Sequence, residues 1–155
     1  MIYLKNKGFT LIELIVVVAI TAVLSGIITF TITQYIAKGK DSNIAGNLAI
    51  LVTAGEIYYN ASDNSYSTLC SSSILTNAIA QMPANPSGAC STANSAGVCC
   101  KVDDSGQSWA ACATEFSDTT KAYCVDSRGI RKEICKNSCT SSITVCPSDD
   151  IANCP

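Results

Sequence analysis

Residues 5–20 read KNKGFTLIELIVVVAI, and Glu13 is the residue in this stretch that needs explaining. It begins an apolar run, with no charged side chain from Leu14 to Ala37. At 1.5 Å per helical residue that run is long enough to cross a hydrocarbon core of about 30 Å. A carboxylate buried in such a setting costs several kcal/mol, on the order of what one buried ion pair recovers, unless it finds a partner. Lys5 and Lys7 precede the run. Basic flanks stay on the cytoplasmic side, so the chain after the run is expected outside. An ordinary secretory signal would be cut after Val23-Leu24-Ser25, but the apolar run continues to Ile36. A lipoprotein signal needs a cysteine after Leu24-Ser25-Gly26, where Ile27 stands. The third fate is a cut ahead of the run, with the run kept on the mature chain; the plain alternative is a single-pass anchor in which Glu13 is incidental.

The stretch KGFTLIEL, Lys7 to Leu14, resembles the class III signal of type IV prepilins and pseudopilins: a short basic leader, glycine, phenylalanine, Thr-Leu-Ile-Glu and an apolar helix. The resemblance implies that a prepilin peptidase/methyltransferase cuts between Gly8 and Phe9 and methylates the new N-terminus, giving N-methylphenylalanine. The fifth mature residue is then Glu13. The cut creates an α-amine on Phe9, a cation near neutral pH and a natural partner for Glu13. That amine belongs either to the same chain or to a neighbour; the family's use of the neighbour would make Glu13 an assembly residue that sets register. Gly8 lets backbone approach a peptidase closely. At Phe30 many relatives carry a helix-kinking proline. Here Gly26 and the β-branched residues of GIITFTIT, weak helix formers, are candidates for bending or local melting, against a straight helix.

Beyond Lys38 the apolar pattern narrows. Ile44, Leu48, Leu51, Gly55 and Tyr58 recur at helical spacing, which predicts one stripe of an amphipathic helix. One helix from about Phe9 to Asn60 is therefore expected, its first half apolar all round and its second half seated on the following domain.

The remainder carries all ten cysteines, at 70, 90, 99, 100, 112, 124, 135, 139, 146 and 154, and no histidine. The even count, the absence of two Cys-x2-Cys knuckles and an extracytoplasmic location favour disulfides over zinc. Thus Cys70, Cys90, Cys99, Cys100, Cys112, Cys124, Cys135, Cys139, Cys146 and Cys154 are the disulfide candidates, with connectivity unreadable. A short helix is expected over Ile74–Met82, a loop over 83–97, and strands after Val98. WAACATEF (109–116) is one, holding Trp109 and Phe116; AYCVD and IRKEIC form a hairpin. A two-residue Arg128-Gly129 turn would set Cys124 opposite Glu133, with Cys135 on the same face. Three strands on the helix would bury Tyr58, Val125 and Ile130. The tail from Asn137 is expected to be a loop stapled to the sheet.

The absence of histidine removes His-based triads, and no enzyme activity, cofactor or metal is expected. Asp103-Asp104-Ser105-Gly106 and Asp149-Asp150 read as solvated turns rather than calcium loops. A net charge of −2 with no basic run gives no clear nucleic-acid site. The fold class is α+β and pilin-like: a long N-terminal α-helix packed on a small antiparallel sheet head, disulfide-stapled. The expected domains are a leader (1–8), the transmembrane or filament-core half of the helix (9–37), its amphipathic half (38–60) and a Cys-rich globular head (61–155). The resemblance implies a structural subunit, major or minor, of a type IV pilus or related surface filament, homo-polymeric or co-polymerised with other pilins. It would pass from a single-pass membrane protein, head outside, to an extracellular filament through an inner-membrane assembly platform. The alternatives are a secretion-system pseudopilin and a membrane-tethered Cys-rich binding domain that never polymerises.

Overall fold

A computed structural model describes residues 8–85, 88–90, 97–148 and 151–154. The basic leader with Lys5 and Lys7, the Asp149-Asp150 pair and the side chain of Phe30 lie outside the described residues. The chain divides into two units at the Ile36–Ala37 bond. The first holds the N-terminal part of a long helix, α1 (Leu11–Ala61); the second holds the rest of α1, a short helix α2 (Ser73–Ala80) and the strands β1 (Cys99–Val102), β2 (Trp109–Thr114), β3 (Lys121–Asp126) and β4 (Arg131–Cys135).

In the first unit the apolar run is helical throughout and none of the described residues buries it. Its hydroxyls turn inward on the helix: Thr21 donates to Val17 O at 3.0 Å, Ser25 to Thr21 O at 2.7 Å and Thr29 to Ser25 O at 2.8 Å. Such back-bonding satisfies each hydroxyl without water, which an apolar surrounding demands. The helix shows no break at Gly26 or through the β-branched residues that follow.

In the second unit, Ile44, Leu48, Leu51 and Gly55 of the expected stripe are buried and Tyr58 is half-buried. The sheet is antiparallel in the order β1-β2-β3-β4, one strand more than the three expected. The extra one is Cys99–Val102, too short to show a period of its own. Side chains alternate across the pleat and both faces are covered. Trp109, Ala111, Ala113 and Val125 join the α1 stripe in one core, together with Tyr66, Leu69, Leu75 and Met82. Ala110, Cys112, Ala122, Cys124 and Ile134 point the other way, into a second core with Cys139, Ile143 and Cys146 of the tail. The head is thus a three-layer structure of helix, sheet and tail.

All ten cysteines are joined, as Cys70–Cys100, Cys90–Cys99, Cys112–Cys139, Cys124–Cys146 and Cys135–Cys154. The last three hold the tail against the sheet. Each closes a short loop, worth about 3 kcal/mol by loop entropy, which matters because the tail core offers mainly alanine methyls and sulfur to bury. Cys99, Cys112 and Cys139 Sγ atoms converge within 4.8 Å. Each is already in a disulfide, so none is a thiolate able to hold zinc.

The β3–β4 register corrects the expected one. Asp126 N–H donates to Ile130 O and Val125 faces Arg131, so Cys124 sits opposite Lys132, not Glu133. The loop has three residues, Ser127 to Gly129, with Gly129 at φ +80°. A one-residue slip exchanges the faces of a strand. Ile134 therefore shares the Cys124 face while Cys135 does not, and Ile130 is 38% exposed rather than buried. Asp126 makes the longer loop stable. Its fully buried carboxylate accepts from Arg128 N–H and Nε, from Ile130 N–H and from Cys146 N–H at 3.0 Å. Burial pushes this carboxyl up, but the Arg128 guanidinium and the Cys146 and Arg128 amides outweigh it and hold it below the ordinary range.

The indole of Trp109 packs against the helix at Gly55, where an added Cβ would stand 2.9 Å from Cζ2 and 3.1 Å from Nε1. The indole N–H has no partner among the described residues, and the helix approaches too closely to admit one. Gly55→Ala is expected to destabilise the head by about 1–3 kcal/mol through overpacking, since a fully buried ring cannot move aside. Thermal unfolding of the full chain in detergent checks this; a neutral or stabilising alanine would contradict the close approach.

Candidate functional site

The first candidate site is the start of α1. Thr10 caps the helix and Glu13 stands three residues on, the Thr-x-x-Glu spacing of a capping box. Thr10 N–H donates to Glu13 Oε2 at 2.9 Å, Thr10 Oγ1 donates to the same oxygen at 2.7 Å, and Glu13 N–H donates to Thr10 Oγ1 at 3.3 Å. This local role for Glu13 is legible in the Thr-x-x-Glu spacing, beside the long-range partner expected for it. It settles which way the carboxylate points: toward the helix N-terminus, where Phe9 lies. Gly8 and Phe9 are exposed, Phe9 by 78%, and an added Cβ at Gly8 would meet nothing within 4 Å. The Gly8–Phe9 bond is open to an incoming protein, and a freed amine on Phe9 would arise one residue from the carboxylate's cap.

The second lies in the head. Lys38 and Asp41 of α1 face Glu115, Tyr123 and Glu133 across an open cavity of about 370 Å³. The helix is fixed here by Asp41, whose carboxylate receives the N–H groups of Phe116 and of Ser117, the latter at 3.0 Å. Lys40 Nζ sits 4.6 Å over the Phe116 ring, which stands beyond the end of β2 rather than within it. Glu133 shares Lys121 with Asp118, at 3.8 and 3.5 Å. Glu115 is different. It is nine-tenths buried, yet its carboxylate accepts no hydrogen bond and joins no ion pair among the described residues. Burial, then repulsion from Glu133 and Asp41, pushes its carboxyl up to about 7, with Lys121 countering only in part.

The remaining acidic motif is structural. Asp103 Oδ1 receives Gln107 N–H at 2.8 Å and Ser108 N–H at 2.7 Å, and Gly106 supplies the φ of +70° that the turn needs. These bonds hold its carboxyl below the ordinary range, led by the Ser105 hydroxyl. The Asp103 carboxylate is spent on the hydrogen bonds of its own turn.

Two comparisons bear on the first site. Residues 3–29 match the family model of the prokaryotic N-terminal methylation motif, a span that contains Gly8, Phe9 and Glu13. The chain is also similar to the type IV major pilin protein PilA of Myxococcus xanthus (strain DK1622), 39% identical over 59 residues, covering 38% of this chain and 27% of the relative. The chain therefore spans about a quarter of the pilin it matches. No solved structure matches significantly.

Glu115 makes the head's stability depend on pH in a definite direction. Its folded pKa lies above the ordinary 4.5 of the unfolded chain, so the folded head holds a proton that unfolding releases. Its contribution to stability is highest below about 4.5, falls as pH rises to about 7 and stays low above it, opposite in sign to that of Asp126, whose lowered carboxyl favours the folded head at higher pH. Glu115→Gln is expected to gain about 1–2 kcal/mol at pH 8, a figure reduced for screening by water in the open cavity, and nothing at pH 4. Denaturant unfolding at the two pH values decides; an equal gain at both would show that the charge is not the cause.

Proposed function

We propose that this chain is a structural subunit of a type IV pilus or related surface filament. The observation that carries the reading is the pairing of a methylation motif with a helix whose apolar first half is unburied within the chain. Such a surface demands either lipid or other copies of itself, and a pilin uses first one and then the other. The similarity to a major pilin points the same way. In this reading residues 1–8 are the leader, removed by a prepilin peptidase that also methylates Phe9. Residues 9–37 form the membrane and later filament-core segment, residues 38–60 seat the head, and residues 61–155 are the exposed head. The head lies outside the cytoplasm, where its disulfides persist. A membrane assembly platform extracts the subunit, and the amine of a neighbour's Phe9 meets Glu13, so that the acid is unpaired in lipid and paired in the polymer. The chain acts by packing rather than catalysis.

Processing is tested by mass spectrometry of the protein from its native membrane. The expected N-terminus is N-methyl-Phe9; an intact Met1 or a start at Gly26 would sink the proposal. Glu13→Val removes the charge while leaving Gly8 and Phe9 in place. It is expected to be cut normally and to be lost from sheared filaments by at least about tenfold, the effect of a buried charge left without its partner. Normal filaments from this variant would disprove the pairing.

A further inference from the structure

Four of the ten cysteines meet in the core between the sheet and the tail. Cys99 of β1 and Cys112 of β2 stand directly opposite each other in the strand register, so their side chains leave the same face of the sheet. In the oxidised head each bonds elsewhere, Cys99 to Cys90 and Cys112 to Cys139 of the tail. The Sγ atoms of Cys99, Cys112 and Cys139 nevertheless lie within 4.8 Å of one another, and Cys99 Sγ is 3.7 Å from Cys139 O. Opposed residues of an antiparallel pair hold their Cα atoms about 4.5 or 5.5 Å apart, and both spacings fall inside the range a disulfide spans. A Cys99–Cys112 bond therefore fits the sheet as it stands. Cys112 has two geometrically acceptable partners, Cys139 and Cys99, and can hold one at a time. Cys124 also faces Cys112, from β3, but lies outside that group of sulfurs.

The adjacent disulfide lacks this choice. Cys100 faces Ala111 and points to the other side of the sheet, where Cys70 is its partner and a methyl, not a sulfur, stands opposite. Cys90 is the most exposed of the four clustered cysteines, so the Cys90–Cys99 bond is the one nearest to solvent. We propose that these four cysteines form an exchange site for a dithiol, the chemistry of a thiol–disulfide oxidoreductase, in which opening Cys90–Cys99 lets Cys99 take Cys112 from Cys139. One thiolate of the reductant bonds to Cys90 Sγ and Cys99 leaves as a thiolate. The reductant's second thiol then bonds to its first, and Cys90 leaves. The Cys99 thiolate attacks Cys112 Sγ, the Cys99–Cys112 bond forms, the Cys112–Cys139 bond breaks, and Cys139 leaves as a thiolate that takes up a proton. The chain ends with one disulfide fewer and the reductant with one more. The tail keeps Cys124–Cys146 and Cys135–Cys154 but loses its attachment at Cys139. A reductant acting ahead of β1 thus loosens the tail on the far face of the sheet.

Cys90→Ala removes the native partner of Cys99 without any reductant and leaves one odd thiol. The full-length oxidised variant in detergent is quenched with acid, which stops exchange, then labelled with a maleimide and mapped as non-reduced peptides. Two species are expected: a thiol on Cys99 beside an intact Cys112–Cys139, and a thiol on Cys139 beside a Cys99–Cys112 bond. Their ratio should lie within about tenfold of unity, a difference under about 1.4 kcal/mol. Cys70→Ala is the control, and its odd thiol should stay on Cys100. A thiol confined to Cys99, a Cys99–Cys139 bond with the thiol on Cys112, or equal scrambling in both variants would overturn the exchange site. Should Cys90→Ala not fold, the same map of the wild-type chain opened at a single disulfide by limiting phosphine, itself oxidised to phosphine oxide, decides. Label on Cys90 and Cys139 supports the exchange; label on Cys90 with Cys99 alone refutes it. Either result leaves the filament reading untouched.

Discussion

Burial of β2 on both faces is the constraint on which the head depends. A strand that reads WAACAT has one large side chain and must otherwise fill space with methyls and a sulfur. Small residues let layers approach closely, and both neighbours exploit this. The helix comes near enough at Gly55 that the Trp109 ring fills the gap, at the expense of an indole N–H without a partner among the described residues. Such an orphaned donor costs on the order of 1–3 kcal/mol. Burying an entire indole exceeds that cost, at about 25 cal/mol per Å² over 150–250 Å². On the far face the tail has too few apolar residues to stay by burial alone, and the disulfides from Cys112 and Cys124 hold it there, while Cys135–Cys154 ties down its end.

The same accounting explains the role of Asp126. A carboxylate with no exposure at the end of a central strand would unfold the hairpin if left alone. Its oxygens instead gather the amides of the β3–β4 loop, the guanidinium of Arg128 and the amide of Cys146, beside the disulfide that ties Cys146 to Cys124. Loop and tail are therefore set by one buried anion. The register cannot slip without stranding it.

Much of this was legible in the sequence, and the rest was hidden for identifiable reasons. The helical stripe from Ile44 to Gly55 follows from spacing alone, because a long helix against a sheet permits only one buried face. The β3–β4 register was read one residue out because Arg128-Gly129 offers a two-residue turn. The competing three-residue loop draws its stability from Asp126, whose partner Cys146 is distant in sequence. β1 was too short to declare itself. Thr10 as the local partner of Glu13 was written in the Thr-x-x-Glu spacing. The isolation of Glu115 was not legible at all: it arises because Lys121, the cation that acts on it, is held by Asp118 and Glu133, residues set around it by the fold.

The two candidate sites pose the same physical problem at different scales. The apolar half of α1 and the carboxylate of Glu115 are each unfavourable in an isolated chain exposed to water, and each is tolerated because the penalty is small or deferred. Lipid can cover the helix before assembly, and a proton can cover Glu115, whose carboxyl titrates near 7. Both covers are exchangeable. A sequence selected only for the stability of its monomer would remove both features at little structural loss, with a polar helix face and a glutamine at 115. Retaining the apolar helix face suits the filament subunit proposed above, whose helix would exchange lipid for copies of itself.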